Sequence, residues 1–380
     1  MEGSIQIGRL FGIPIRLHFT FLLVIPLFAW IIGSQIELTT ELLTGIFGID
    51  YAGLDMSLIT SGYSPYVLGT IVALGLFAGV LLHELAHSMV ARSKGMKINS
   101  ITLLILGGVA SMEEGIPDPM VELPMALAGP LTSLGIGIIS SAIALSAESI
   151  IPDRALAAVI FFVFGYLGLL NVILFAFNLL PAFPMDGGRV LRAWLAKKMP
   201  LHRATKIAAD IGRAFAIMFG IFGFFAGNVI LIIIAFFIYI GAGQESLMVK
   251  YNYLLQDVSI ADAMSSPVTT VSPDLQIEEI VTLMETSHHM GFPVVAQDML
   301  VGMVTLSDVH AVPKIEREAK LVRDIMSKNT VSLPPTAPLT DALKLMSMKD
   351  IGRVPVVRDG VLVGIVTRTD ILRVMELKEA

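Results

Sequence analysis

The stretch VLGTIVALGLFAGVLLHELAHSMVA, residues 67–91, decides the fold, because it places His83, Glu84 and His87 inside an apolar run long enough to cross a bilayer. Side chains four residues apart on a helix lie one above the other, so both imidazoles can reach one divalent ion. The Glu between them can hold and deprotonate a water on that ion. The stretch therefore predicts a metal site within a membrane helix.

Taken alone, the HExxH pattern is weak evidence, because it also occurs by chance. The alternative is a hydrogen-bonded polar cluster that holds membrane helices together. We favour the metal, because charged groups at this depth are costly and normally functional, and three adjacent polar side chains need a shared partner. The chain has no cysteine, which excludes a disulfide framework and leaves His, Asp and Glu as the available ligands.

Composition divides the chain into a membrane part and a water-soluble part. Of 380 residues, 55% are hydrophobic and only 15% are charged, against about 25% charged in soluble domains. The long apolar runs lie within residues 1–247, which predicts a multi-pass α-helical membrane domain. The net charge of −6 gives no reason to expect a nucleic-acid partner. We predict six membrane spans, at about 17–34, 67–92, 123–147, 155–180, 206–225 and 226–247.

Basic residues indicate the orientation of these spans. They are frequent in the loops on one side, whereas loop 35–66 contains no Lys or Arg and loop 148–154 contains only Arg154. The positive-inside rule then predicts a cell-membrane protein with both termini and the soluble part in the cytoplasm.

The segment 98–122 contains the apolar run ITLLILGGVA and is too short and too rich in glycine to span. Irregular backbone at membrane depth must be buried in protein or face water. The segment therefore predicts either short membrane-associated β-strands or a re-entrant hairpin, with a surface loop as the alternative. We leave its Glu113 and Glu114, and the interfacial His18, out of the metal site.

A third metal ligand is expected from the run NLLPAFPMDGGR, residues 178–189, which follows the fourth predicted span. Two prolines end the helix there, and Gly187 and Gly188 permit close backbone approach. Asp186 would then lie at a depth similar to that of His83 and His87. The alternative is that Asp186 only caps the helix that follows it.

The two motifs together resemble the site-2 protease family of intramembrane metalloproteases. The N-terminal GRLFGIPIRLHFTF, residues 8–21, is similar to the start of many prokaryotic members. The resemblance implies one Zn²⁺ per chain on His83, His87 and Asp186, with Glu84 as catalytic base. It further implies that Asn178 lies near the active site, where it donates to the oxyanion or to the substrate backbone.

The resemblance also implies the substrate, a transmembrane segment of another protein that is hydrolysed within the lipid bilayer. Such a segment must unwind locally, and exposed backbone of 98–122 could pair with it as an added strand. Many bacterial members carry an inserted PDZ domain, but this sequence shows none, so selection by such a module is not supported.

The soluble part contains an internal repeat with an offset of 62 residues, in which Gly291-Phe-Pro-Val-Val recurs as Arg353-Val-Pro-Val-Val. Each repeat predicts the order helix, strand, strand, helix, with Asp359 and Gly360 forming a hairpin turn. The repeats resemble a tandem pair of CBS domains with an α/β fold, at about 257–312 and 320–377.

CBS pairs often bind adenine nucleotides, and the resemblance implies a candidate set of contacts. The pattern GxxTxxD places Thr305 and Asp308 in the first unit, and Thr367 and Asp370 in the second, against ribose and phosphates. Dinucleotide-binding sites also use a carboxylate that accepts hydrogen bonds from neighbouring ribose hydroxyls. The alternative is that each Asp caps the following helix, and a purely structural or dimerising role of the pair also stays open.

Two other functions compete with intramembrane proteolysis. A metal-ion transporter or channel regulated by the CBS pair would also contain His and Glu in the membrane, but would spread them over several helices. An inactive relative that only binds other proteins is disfavoured by the intact Glu84. The sequence leaves the natural substrate, the cleavage site and the formation of a homodimer open.

Overall fold

The computed structural model describes residues 3–104, 107–112 and 118–379 of the chain. The chain divides into two compact units, Met1–Val249 and Lys250–Ala380. Glu113 and Glu114, which the sequence analysis sets aside, lie outside the described residues.

The first unit is a bundle of apolar helices. Five described helices are long and apolar enough to cross a membrane, and a sixth span results if α1 and α2, which meet at a bend of 74°, count as one. This confirms the predicted multi-pass α-helical membrane domain. The helices are α1 Phe19–Ser34, α2 Ile36–Phe47, α3 Ser57–Thr60, α4 Ser64–Ser93, α5 Pro119–Ile150, α6 Arg154–Asn178, α7 Asp186–Leu195, α8 Leu201–Phe225 and α9 Val229–Leu255.

The last two predicted spans are separate helices joined by a tight turn. α8 ends at Phe225 and α9 begins at Val229. Between them Gly227 has a φ of +64°, a conformation that glycine adopts at little cost. The turn thus lies at the boundary between the predicted spans 206–225 and 226–247.

A four-stranded sheet accompanies the helices. Its strands are β1 Ser4–Leu10, β2 Ile13–His18, β3 Ile98–Leu104 and β4 Gly107–Met112, in the order β1-β2-β3-β4. The segment 98–122 therefore begins as an antiparallel hairpin of strands, one of the alternatives that the sequence left open. The sequence analysis did not foresee that the N-terminus supplies two further strands, with β2 parallel to β3.

Small residues let the central helices approach one another closely. A Cβ at Gly137 of α5 would lie 3.3 Å from the carbonyl oxygen of Gly168 on α6. A Cβ at Gly79 of α4 would lie 2.8 Å from Asn171 Oδ1, also on α6. Small residues at helix interfaces are the usual device for packing in lipid. The packing holds α4, α5 and α6 side by side, with the predicted ligands His83 and His87 on α4.

The second unit contains the same order of helices and strands twice. Its sheet has the strand order β5-β6-β8-β7, so the two hairpins meet through β6 and β8. Asp359 and Gly360 have φ values of +52° and +85°, as the predicted hairpin turn requires. The elements are α10 Ile260–Ala263, α11 Ile277–Ser287, β5 Gly291–Ala296, β6 Met299–Thr305, α12 Leu306–His310, α13 Val322–Ile325, α14 Leu339–Lys349, β7 Arg353–Arg358, β8 Val361–Thr367 and α15 Arg368–Glu379.

Candidate metal centre

Helix α4 places two histidines on one buried face. The side chains of His83 and His87 are one helical turn apart, and the residues are 5% and 8% exposed. Their Nε2 atoms lie 3.1 Å apart. The i, i+4 spacing thus brings the imidazole nitrogens of both histidines to one point, as the sequence predicts.

Asp186 reaches the same point from a helix 103 residues further along the chain. Its Oδ2 lies 3.2 Å from His83 Nε2 and 3.1 Å from His87 Nε2. Asp186 is the first residue of α7, and no side-chain capping bond was found at the start of that helix in the described structure. The geometry therefore places the Asp186 carboxylate against both histidines, a contact that capping of α7 does not require.

The glycines after Asp186 allow this placement. A Cβ at Gly188 would lie 2.6 Å from the backbone nitrogen of Phe183, and a Cβ at Gly187 would lie 2.5 Å from the carbonyl oxygen of Leu179. The start of α7 is thus folded directly against the loop that precedes it. Side chains at these two positions would push the helix, and Asp186 with it, away from α4.

The three ligand atoms fit a zinc ion. They all lie within 4.8 Å of one another, and the separations that involve Nε2 and Oδ2 are 3.1 to 3.2 Å. Zinc bonds of about 2.0–2.1 Å in a tetrahedron place neighbouring ligands about 3.3 Å apart. Two imidazoles and one carboxylate are also the donor set of catalytic zinc sites, which keep one position for water or substrate.

Helix α5 orients both imidazoles from behind. His83 Nδ1 lies 2.9 Å from Ser133 Oγ, and His87 Nδ1 donates to the carbonyl oxygen of Met125 at 2.6 Å. These bonds occupy Nδ1 and leave Nε2 for the metal, as outer partners of zinc-bound histidines usually do. The sequence analysis missed both partners, because neither a lone serine nor a backbone carbonyl carries a motif.

Glu84, the predicted base, lies on α4 next to the sheet. It is half-buried, and the Cβ of any residue other than glycine at position 108 would collide with its side chain. Strand β4 therefore passes directly beside the carboxylate through Gly108. This contact was not predicted, since it joins residues that no local pattern connects.

Asn178, the other predicted catalytic residue, ends helix α6. Its Nδ2 donates to the carbonyl oxygen of Leu174 in the same helix at 2.9 Å. Among the described contacts, none joins this side chain to His83, His87 or Asp186. The structure thus brings together the three predicted ligands, but does not bring Asn178 into contact with them.

The four predicted nucleotide contacts form two helix caps. Asp308 Oδ2 accepts from the backbone nitrogen and the hydroxyl of Thr305 at 2.8 and 2.7 Å. Asp370 Oδ2 accepts in the same way from Thr367 at 2.9 and 2.6 Å. The capping alternative is therefore realised in both units.

Comparison with known proteins adds the family. A sequence model of peptidase family M50 matches residues 71–151 and 144–219, and a model of the CBS domain matches 260–313 and 322–377. A zinc metalloprotease of Methanocaldococcus jannaschii is 37% identical over 379 residues, which cover 100% of this chain and 98% of that relative. The chain belongs to peptidase family M50.

Two further known proteins are similar to this M50 peptidase. Rip3 of Mycobacterium tuberculosis is 30% identical over 390 residues, which cover 99% of this chain and 94% of Rip3. The solved site-2 protease of Methanocaldococcus jannaschii is 37% identical, and the match covers 64% of this chain and 95% of that structure with a TM-score of 0.42. The match to the M50 family model and the 37% identical zinc metalloprotease confirm the resemblance drawn from the two motifs. The M50 peptidase is an intramembrane zinc metalloprotease that carries a tandem pair of CBS domains.

Proposed function

We propose that His83, His87 and Asp186 hold the catalytic zinc, and that Glu84 is the base in the hydrolysis of transmembrane segments of other proteins. The observation that carries the assignment is the meeting of three ligand atoms at 3.1 to 3.2 Å from two separate helices. Polar side chains spread along a transport path would not converge in this way.

The roles of the side chains follow from their chemistry. Zinc, when bound, supplies Lewis acidity that activates water and polarises the scissile carbonyl. Glu84 takes the proton of the attacking water and passes it to the leaving amine. Asn178 Nδ2 donates one N–H to Leu174 and has a second N–H available, so we assign that second donor to the substrate backbone or the oxyanion once substrate is bound.

Strand β4 is the part of the fold that we propose to bind the unwound substrate. It lies at the edge of the sheet, pairs with β3 along one side, and passes Glu84 at Gly108. An extended peptide added to the free side of β4 would lie next to the base. When the substrate helix unwinds, its backbone N–H and C=O groups lose their intrahelical hydrogen bonds. Pairing with β4 would replace those bonds.

The test of the metal site uses purified protein and a model transmembrane substrate. Cleavage should be chelator-sensitive, and Glu84→Gln should abolish it while zinc stays bound. Glu148→Gln, at the end of α5 and away from the site, serves as the matched control and should keep full activity. Asp186→Ala should lose most of the zinc.

The same preparation separates the protease from a transporter. Metal flux into liposomes without any cleavage would favour a CBS-regulated transporter or channel. Zinc content of Asp186→Ala equal to that of the wild type would remove Asp186 from the ligand set.

Proline substitutions test strand addition. Alternate N–H groups of an edge strand point towards its neighbour or away from the sheet. Of Ala110→Pro and Ser111→Pro, the variant that removes an outward N–H should keep its zinc and raise KM for substrate. Unchanged KM in both variants, at full zinc content, would refute a role of β4 in binding.

We also propose that both termini and the CBS pair face the cytoplasm, which the distribution of basic residues supports. Because the chain contains no cysteine, single cysteines report on sidedness without background. A cysteine at Lys197 should be protected from an impermeant reagent in intact cells, whereas one at Asp55 should react. The opposite labelling pattern would reverse the orientation.

For the CBS pair we propose an adenine nucleotide site that regulates cleavage, centred on Thr305 and Asp308. Asp308 is half-buried, whereas Asp370 is 4% exposed and also accepts from Ser265 Oγ at 3.1 Å. The first unit thus has the more available carboxylate. Calorimetric titration with AMP and ATP should detect binding that Asp308→Asn weakens more than Asp370→Asn. Absence of heat with both nucleotides would leave the pair a structural module.

A further inference from the structure

A buried ion pair joins α7 to α5 beside the metal centre. Arg192 Nε lies 3.1 Å from each carboxylate oxygen of Glu122, and Nη2 contacts the same carboxylate. The two residues are 2% and 0% exposed. A guanidinium that uses two nitrogens on one carboxylate fixes direction as well as distance.

The same guanidinium has two further contacts. Its Nη1 donates to Glu245 Oε1 on α9 at 2.8 Å, and its Cζ lies 4.8 Å from the centre of the Phe183 ring. Phe183 belongs to the loop that precedes Asp186 and is 1% exposed. Arg192 thus contacts α5, α9 and the loop before α7 at once.

Each partner of the ion pair lies on an element that builds the metal centre. Arg192 shares the short helix α7 with Asp186, so its position sets that of the carboxylate ligand. Glu122 lies one turn before Met125, whose carbonyl oxygen accepts from His87 Nδ1. The pair therefore connects the helix of one proposed ligand to the backbone that orients another.

We infer that Arg192, through Glu122, is a positioning residue for the zinc site, an inference that depends on the proposed ligand set. An ion pair buried to this degree is weak evidence of stabilisation, because desolvation of the two charges offsets much of their attraction. Directional bonds are what such a pair supplies and an apolar pair does not. Here the bonds fix the orientation of α7 relative to α5.

The test is Arg192→Lys, which keeps the positive charge but loses the planar pair of donors. We expect zinc affinity, measured by competition with a chelator, to fall about tenfold, as for other outer partners of metal sites. The visible absorption of the cobalt-substituted protein should also change in energy and intensity, since it reports ligand geometry. Arg213→Lys, in an exposed pair with Asp210, is the matched control and should change neither value.

A second variant covers the case in which Arg192→Lys does not fold. Glu122→Gln keeps the shape of the side chain and one acceptor oxygen, and should give the same spectral change with a smaller loss of affinity. A purely structural role would lower the unfolding temperature but leave zinc affinity and the cobalt spectrum of the folded protein unchanged. That outcome in both variants would overturn the inference, whereas zinc retention by Asp186→Ala would instead overturn the ligand set.

Discussion

Gly129 of α5 lies so close to His83 that a Cβ at position 129 would be 2.6 Å from the imidazole Nε2, the atom assigned to the metal. The same Cβ would collide with His87 Nε2. Glycine is thus the residue that lets α5 lie directly against the ligand atoms of both imidazoles.

Gly129→Ala should therefore remove the metal. The added methyl group would push the imidazoles of His83 and His87 out of position, so zinc content should fall to less than a tenth of the wild-type value. Gly135→Ala, on the same helix with nothing within 4 Å of its Cβ, is the control and should retain zinc. Metal analysis of the purified proteins decides, and full zinc in Gly129→Ala would contradict the proposed site.

Ser133→Ala removes the hydroxyl that lies 2.9 Å from His83 Nδ1. The imidazole then loses the bond that fixes its orientation, and zinc affinity should fall about tenfold or more. Ser140→Ala is the matched control, because Ser140 is buried on the same helix and has no described bond to either histidine. Chelator competition measures both, and equal affinities in the two variants would remove Ser133 from the site.

Gly108→Ala should separate catalysis from metal binding. Its methyl group would press on the Glu84 side chain, which is assigned to proton transfer and is not among the ligands. We expect kcat to fall at least tenfold, typical of a displaced general base, at unchanged zinc content. Gly8→Ala, on the opposite edge strand with open space around its Cβ, should retain kcat. Parallel loss of zinc and kcat in Gly108→Ala would argue against this division of roles.

The two CBS caps should differ in strength. Each Asp is the third residue of its helix and accepts from the Thr that precedes the helix, and loss of such a capping contact costs about 1 kcal/mol. Asp370 is more buried than Asp308 and also accepts from Ser265. Asp370→Ala should therefore speed amide hydrogen exchange at the start of α15 more than Asp308→Ala does at the start of α12. Exchange followed by mass spectrometry gives both rates, and a larger effect at α12 would contradict the argument.

The convergence of His83, His87 and Asp186 could be predicted because short local patterns determine where each side chain lies. The spacing of His83 and His87 alone places them on one face of a helix. The prolines and glycines around Asp186 predict that the helix ends there and that the backbone can approach its neighbours closely. The repeat offset of 62 residues likewise fixes the hairpins of the second unit. In each case a short pattern carries the physical constraint, so no knowledge of distant contacts is needed.

What escaped prediction depends on pairing across the chain. Strand β2 aligns Ile15 with Ile101, and Arg192 meets Glu122 across 70 residues. Nothing in either local sequence specifies its partner, because the pairing follows from how the helices pack. The role expected of Asn178 also depends on a distant partner. Its bond to Leu174 lies within one helix, whereas a contact with substrate requires a second molecule.

The origin of the ligands on α4 and α7 has a consequence for biosynthesis. A nascent chain that has inserted α4, α5 and α6 already contains HELAH, but residue 186 has not yet joined it. Such an intermediate holds two imidazoles without the carboxylate of Asp186, so it lacks the third ligand of the proposed zinc site. With the proposed ligand set, the metal centre is completed only after α7 has packed against α5, so the order of helix insertion also sets when the peptidase can become active.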